Sequence, residues 1–278
     1  MVQFKPESYK RAIETEFTIV NKDKIEVPFV LNKAQNHFLQ NLEEKNVILK
    51  ARKMGFSSVL LAIAAIKFIF GENERCVSMS FDADASTKQL ERAKHYIKAF
   101  EIRNNIKIPT KYNSKHEMVY EGISSTTGRP FQNTLRIGTA KSDSFGRGDD
   151  ISFLHLTEVS QANNLDALLA GVGEAVVNNS IVTLETTANG FNAFKTFWDD
   201  AVLGNKGYKT FFYGPEWEYS PEYLSEKKKN LGRLYPQEYP STAEEAFLTS
   251  GLTYFNQESL KWYLEHVKEP MMEGVIYA

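Results

Sequence analysis

Over the first two hundred residues, short apolar runs alternate with stretches of helical spacing, the pattern of an α/β sheet with crossover helices. Ala34, Phe38, Leu39 and Leu42 share one helical face and predict a helix over about 33–45. Val47-Ile48-Leu49 reads as a short buried strand, and Ser57 is placed to cap a helix carrying the apolar run Val59–Phe70. Cys76–Met79 predicts the next strand and residues 84–100 a helix. Met118–Tyr120 and Thr134–Thr139 predict strands, joined as a hairpin around the turn-forming stretch Gly122–Pro130. Ile151–Thr157 and Ser180–Thr186 predict two more, with a helix at about 164–177 between them. Helical spacing returns near 192–202, followed by aromatic strand material at 208–213. Past residue 215 the composition changes, with the basic run Lys227–Lys229 and the pairs Tyr235-Pro236 and Tyr239-Pro240.

Composition narrows the picture without deciding it. At 278 residues, with 42% hydrophobic and 24% charged residues, the chain holds one large domain or one domain and part of a second, which excludes collagen-like and disordered classes. Lys and Arg number 33 against 35 Asp and Glu, so no global basic field exists and any polyanion contact must be local. The single cysteine, Cys76, excludes an intramolecular disulfide and fits a reducing compartment. Five scattered histidines show no paired ligand spacing, which argues against structural zinc. The start, MVQFKPESYK, has no signal-peptide core, and the Val59–Phe70 run, broken by Lys67, is short of the ~20 residues a bilayer span needs. A soluble, intracellular protein is expected, with no membrane partner.

Three strand ends carry candidate chemistry. In Val47–Ser58 a strand passes through a turn with Gly55 into a helix opening on Ser57 and Ser58, the arrangement with which P-loops cradle phosphate on backbone N–H groups. The standard G-x-x-x-x-G-K-[ST] is not matched. Phe56 stands where the lysine belongs, and three cations, Lys50, Arg52 and Lys53, lie just upstream; an ordinary strand–helix turn with surface charges is the competing reading. The apolar strand Ile151–Thr157 ends on Glu158, which would lie beside the Gly55–Ser57 turn if both strands belong to one sheet, where a carboxylate can polarise an attacking water. Its plain alternative is a solvated glutamate ending a strand. The third strand ends in Thr186-Thr187-Ala188-Asn189-Gly190, whose hydroxyls and amide could sense a γ-phosphate or serve turn chemistry alone.

In order and spacing these motifs resemble the ATPase region of the large terminase subunit, the motor that packages DNA into tailed-phage heads. Lys50–Ser58 resembles a deviant phosphate loop, His155–Glu158 the strand with the catalytic glutamate, Thr186–Gly190 the coupling motif, and Tyr239–Phe247 the segment closing the ATPase half. The resemblance implies a P-loop NTPase fold of the RecA-like, additional-strand catalytic-glutamate type: an α/β, mostly parallel sheet flanked by helices, plus a small helical linker subdomain. It divides the chain into an N-terminal extension (1–26), an ATPase core (27–215), a linker or lid (216–250) and the start of a nuclease domain (251–278) whose activity is not expected in this chain.

By position, Gln35 resembles the family's adenine-contacting glutamine. Lys50, Arg52 and Lys53 compete for the phosphate contact, with Gly55, Phe56, Ser57 and Ser58 forming the loop. The resemblance implies ATP and Mg²⁺, the metal on Ser57 and Glu158 partly through water, and Glu158 as general base. Thr186, Thr187 and Asn189 carry the coupling. Arg147 resembles an arginine acting in a neighbouring subunit's site. It precedes the strand by four residues, and Ile151 to Glu158 spans roughly 23 Å at ~3.3 Å per residue, so it starts at the far end of the sheet. Pairing with Asp149 or Asp150 in a surface turn is its competing role.

Thr157 departs from the family pattern, which places an aspartate there for Mg²⁺; by the same distance Asp149 and Asp150 cannot replace it. Implied partners are double-stranded DNA through sequence-independent phosphate contacts, the portal protein and the small terminase subunit. The chain would form a homo-oligomeric ring when assembled and a monomer in isolation, in the host cell cytoplasm. A nucleotide- or DNA-binding module that no longer hydrolyses ATP is the alternative.

Overall fold

In a computed structural model of the chain, the described residues are 5–81, 83–139 and 150–249, with 259, 262, 263 and 265–267 beyond them. Arg147 and almost all of the expected nuclease start lie outside the described residues.

The chain opens on α1 (Pro6–Glu16) and a two-stranded antiparallel ribbon, β1 (Thr18–Val20) with β2 (Glu26–Pro28). Set apart as an extension by the sequence, this segment buries Tyr9, Ile13 and Phe17 in the main core. Then follow α2 (Lys33–Gln40), β3 (Lys45–Lys50), α3 (Phe56–Phe70), β4 (Arg75–Ser80) and α4 (Ala83–Asn104). A meander of β5 (Thr110–Asn113), β6 (Glu117–Ile123) and β7 (Pro130–Thr139) contains the expected hairpin, with β6 antiparallel to both neighbours. Next come β8 (Ile151–Thr157), α5 (Leu165–Gly173), β9 (Val176–Thr186), α6 (Ala193–Val202) and β10 (Lys209–Tyr213). The last described elements are α7 (Pro221–Leu231), a single turn α8 (Tyr235–Glu238) and α9 (Ala243–Thr249).

Among the described residues one eight-stranded sheet runs in the order β10-β3-β9-β8-β4-β7-β6-β5, parallel from β10 through β7. Alternate side chains feed two cores, one per face. Ile48, Cys76 and Phe153 join α1–α4 on one side, while Val47, Leu49, Val77, Leu154 and Leu184 join α5, α6 and α9 on the other. Strands covered on both faces read as continuous apolar runs, which is why β3, β4 and β8 were legible. α3 is apolar nearly all round because it lies within the first core. Lys67, which interrupts its apolar run, is buried and ion-paired to Glu74 at 2.9 Å.

Cys76 is 1% exposed, and burial pushes its thiol well above the ordinary range. A disulfide-exchange reagent should therefore label it only as fast as the protein unfolds, as a buried thiol cannot present its thiolate. Rapid stoichiometric labelling of the native protein would contradict this placement. Among the described residues, no helix is long and apolar enough to cross a membrane.

Candidate active site

The parallel order puts β3, β9 and β8 side by side, so three loops leave the sheet together at its carboxyl edge. Between them lies a cavity of about 810 Å³, lined by Lys50 at the end of β3 with Arg52, Lys53 and Gly55–Ser58 beyond it, by Thr157 and Glu158 at the end of β8, and by Thr186, Thr187 and Asn189 at the end of β9. A second cavity of the same volume opens near the other end of these strands, at Lys45 and Val176–Ser180, and has no such convergence of motifs.

The loop between β3 and α3 is shaped by its backbone. Lys53 and Gly55 both take left-handed φ, 61° and 74°. Glycine suits 55 on two counts, its left-handed φ and the approach of Gln35, whose Nε2 a Cβ would meet at 2.6 Å and have to displace. The α-helix begins at Phe56 with Gly55 as N-cap and no side-chain cap, so Ser57, expected to cap it, does not. Its hydroxyl instead donates to Glu185. The first turn of α3 lines the cavity, where its backbone N–H groups and positive dipole end suit an anion.

Phe56 contributes backbone only. Its ring is 1% exposed, stacked on Tyr213 with centroids 4.8 Å apart and edge-on to Phe38 at 5.8 Å. Gln35 does not line the cavity either. It is 4% exposed and completes a capping box with Asn32, while Nε2 donates to Gly55 O at 2.9 Å. The spacing Asn32-x-x-Gln35 already carried that signal. In this structure Gln35 braces the loop from behind.

The three candidate cations separate. Lys50 is mostly buried and its Nζ lies 3.3 Å from Glu185 Oε2. Arg52 is 61% exposed in its side chain and pairs with Glu238 at 2.7 Å. That contact ties the loop to the segment after β10, together with Arg52 N donating to Glu238 O and Tyr219 Oη donating to Arg52 O and Lys53 O. Lys53 is exposed at the cavity rim. Arg92 of α4 also lines the cavity, a cation the sequence motifs did not point to.

Glu158 ends β8 with a left-handed φ of 58°, uncommon for a residue with a side chain and a mark of strain often held at functional sites. Its N–H donates to Glu185 O at 2.8 Å and its carbonyl accepts from Gln161 N at 2.9 Å, so the bend is fixed on both sides. Thr186 is buried and donates to Ser160 Oγ at 2.8 Å, joining the end of β9 to the turn that follows Glu158.

Glu185 was not singled out by sequence. It lies fully buried on β9 behind the cavity, opposite Thr157 in the β8–β9 ladder. Oε1 accepts from Thr157 at 3.0 Å and from Ser57, and stands 3.3 Å from His155 Nε2. Burial alone would raise its carboxyl pKa; the Lys50 ammonium, His155 and Ser57 outweigh that and hold it well below the usual carboxylate range. His155 is itself fully buried and bonded, with Nδ1 2.9 Å from Ser78 Oγ.

No protein-family model and no curated protein matches the chain. Solved structures do. The ATPase domain of the Thermus phage P74-26 large terminase aligns with TM-score 0.52 and 14% identity, over 73% of this chain and 88% of that one. The HK97 bacteriophage large terminase aligns with TM-score 0.59 and 18% identity, over 89% and 51%. A large terminase from a thermophilic bacteriophage, in complex with ADP, aligns with TM-score 0.55 and 10% identity, over 72% and 48%. The chain spans about half the length of the last two. Its fold is thus that of phage large-terminase ATPase domains, an α/β fold with a mostly parallel sheet flanked by helices, as the resemblance implied.

Proposed function

We propose that the chain is the ATP-hydrolysing part of a viral DNA-packaging motor, a large terminase that moves double-stranded DNA into a procapsid. The observation that carries the proposal is the convergence of loop, carboxylate and coupling strand on one cavity in a terminase ATPase fold. In this reading the triphosphate lies along the first turn of α3, and Lys50 is the cation closest to the buried side of the loop. Arg52 is held by Glu238, so it reaches phosphate only by leaving that partner. Glu158 orients the attacking water and accepts its proton as ADP and phosphate form.

The oxygen donors Ser57 and Glu158 fit a hard cation. With these two protein donors, the rest of the ion's shell would come from phosphates and water. Mg²⁺ would supply charge neutralisation on the phosphates. Thr186, bonded to Ser160, links the state of the site to the turn after Glu158. The contacts of Arg52 and Lys53 with Glu238 and Tyr219 offer a path to the 216–250 segment.

DNA would be gripped by phosphate contacts shared around a ring on the portal, with the small terminase subunit as a further partner in the host cytoplasm. The non-hydrolysing alternative draws on Thr157, which stands where an aspartate is expected. An ATPase assay with portal and DNA separates the readings: turnover in the wild type supports the motor. Arg147 would complete a neighbour's site. Arg147→Ala should lose turnover in the assembled motor, by the 10³–10⁵-fold such fingers contribute, while keeping nucleotide binding. Full activity in that variant would remove the role in trans.

A further inference from the structure

Thr157, at the end of β8, brings no acid to the site where the terminase resemblance implies one, and the neighbouring strand supplies one. Glu185 lies directly across the ladder from Thr157. It does not line the cavity but sits behind residues that do, in contact with Lys50, Ser57 and Thr157. Three features make it more than a buried ion pair. Oε2 is fully buried and accepts no hydrogen bond, facing only the Lys50 ammonium among the described residues. The Ser57 hydroxyl spends its only proton on Oε1, which leaves the oxygen lone pairs for a ligand in the cavity. The Thr157 hydroxyl also donates to Oε1, so the side chain in the aspartate's place supports the carboxylate instead of replacing it.

We propose that Glu185 is the acidic positioning residue of the divalent-cation site, having taken over from the adjacent strand the role of the missing aspartate. It orients Ser57 with its lone pairs toward the cation and places a negative charge behind it. Lys50 is the counter-ion while the site is empty. With Lys50 drawn toward phosphate, the Glu185 charge would be left for a divalent cation on the Ser57 side to offset, so nucleotide and metal would favour each other's binding. This inference rests on the nucleotide-site reading above.

The test is the binding of a fluorescent, non-hydrolysable ATP analogue, titrated without metal and across a Mg²⁺ series. In the wild type, Mg²⁺ should tighten nucleotide binding. In Glu185→Gln, which keeps an acceptor for Ser57 but loses the charge, the Mg²⁺ concentration needed should rise about 10–100-fold, the usual cost of removing a partner behind a metal ligand. Metal-free affinity should be unchanged or tighter, because the phosphate no longer competes with the Glu185 carboxylate for Lys50. The exchange Thr157→Asp with Glu185→Thr moves the acid back across the ladder and should restore the Mg²⁺ requirement toward the wild-type value. It also decides the matter should Glu185→Gln fail to fold.

Wild-type Mg²⁺ dependence in Glu185→Gln overturns the proposal, as does an equal loss with and without metal, which is what a structural role gives. An exchange variant that folds and binds nucleotide without Mg²⁺ dependence overturns it too. A wild type that binds no nucleotide under either condition overturns the nucleotide site itself.

Discussion

Glu158→Gln is expected to lower kcat for ATP by 10²–10⁴-fold, the contribution of a positioned general base, while nucleotide affinity is unchanged. The substitution is nearly isosteric, and the backbone that aims the side chain does not depend on its charge. Glu158 N is held by Glu185 O and the turn is closed by Gln161, so the amide should occupy the carboxylate's place. What is lost is the site that takes the proton from water. Steady-state hydrolysis at high protein concentration, with portal and DNA supplied, reads the effect, and nucleotide titration reads the control. A Gln variant as active as an active wild type would show that Glu158 merely ends a strand.

The second large effect falls on the fold. Restoring the lysine of a standard phosphate loop, Phe56→Lys, should destabilise the protein by about 3 kcal/mol or more and should not raise activity. The Phe56 ring is buried between Phe38 and Tyr213, so the change removes an aromatic core side chain and asks an ammonium to occupy apolar space. For a domain of this size, ~3 kcal/mol corresponds to a fall in Tm of roughly 6–12 °C. Thermal unfolding decides it. A Phe56→Lys protein as stable as the wild type and faster in hydrolysis would mean that the loop presents this position to phosphate, and that Lys50 is not needed for it.

These two residues show what the sequence made legible. The apolar runs in β3, β4, β8 and β9 stand out because crossover helices cover both faces, and the strand-end motifs follow from where those runs stop. Boundaries without polar punctuation were harder. The helix expected to reach about 177 ends at Gly173, because Val176 and Val177 satisfy a strand pattern as well as a helical one. The helix expected to reach about 45 stops at Gln40, and Lys45 already belongs to β3.

Register was out of reach. Glu185 reads as one charge at the end of an apolar strand. Its meaning depends on standing opposite Thr157, and on Lys50 and Ser57 reaching it from the neighbouring strand and helix. A lone carboxylate closing a strand of otherwise uncharged, mostly apolar residues was nevertheless a usable signal, since such a charge is tolerated only with partners. Gln35 shows the reverse. Its likeness to a base-contacting glutamine rests on position along the chain, whereas the capping box with Asn32 and the contact with Gly55 O give it a local task.

If the cavity at the carboxyl ends of β3, β9 and β8 is a nucleoside triphosphate site built on a loop whose phosphate lysine comes early, a crystal structure with Mg²⁺ and a non-hydrolysable ATP analogue will show it. The β- and γ-phosphates should lie on the first turn of α3, with Lys50 Nζ within hydrogen-bond distance of a phosphate oxygen and drawn away from Glu185. A nucleotide bound elsewhere, or phosphates in this cavity met by Arg52 or Lys53 with the Lys50–Glu185 pair intact, would contradict it.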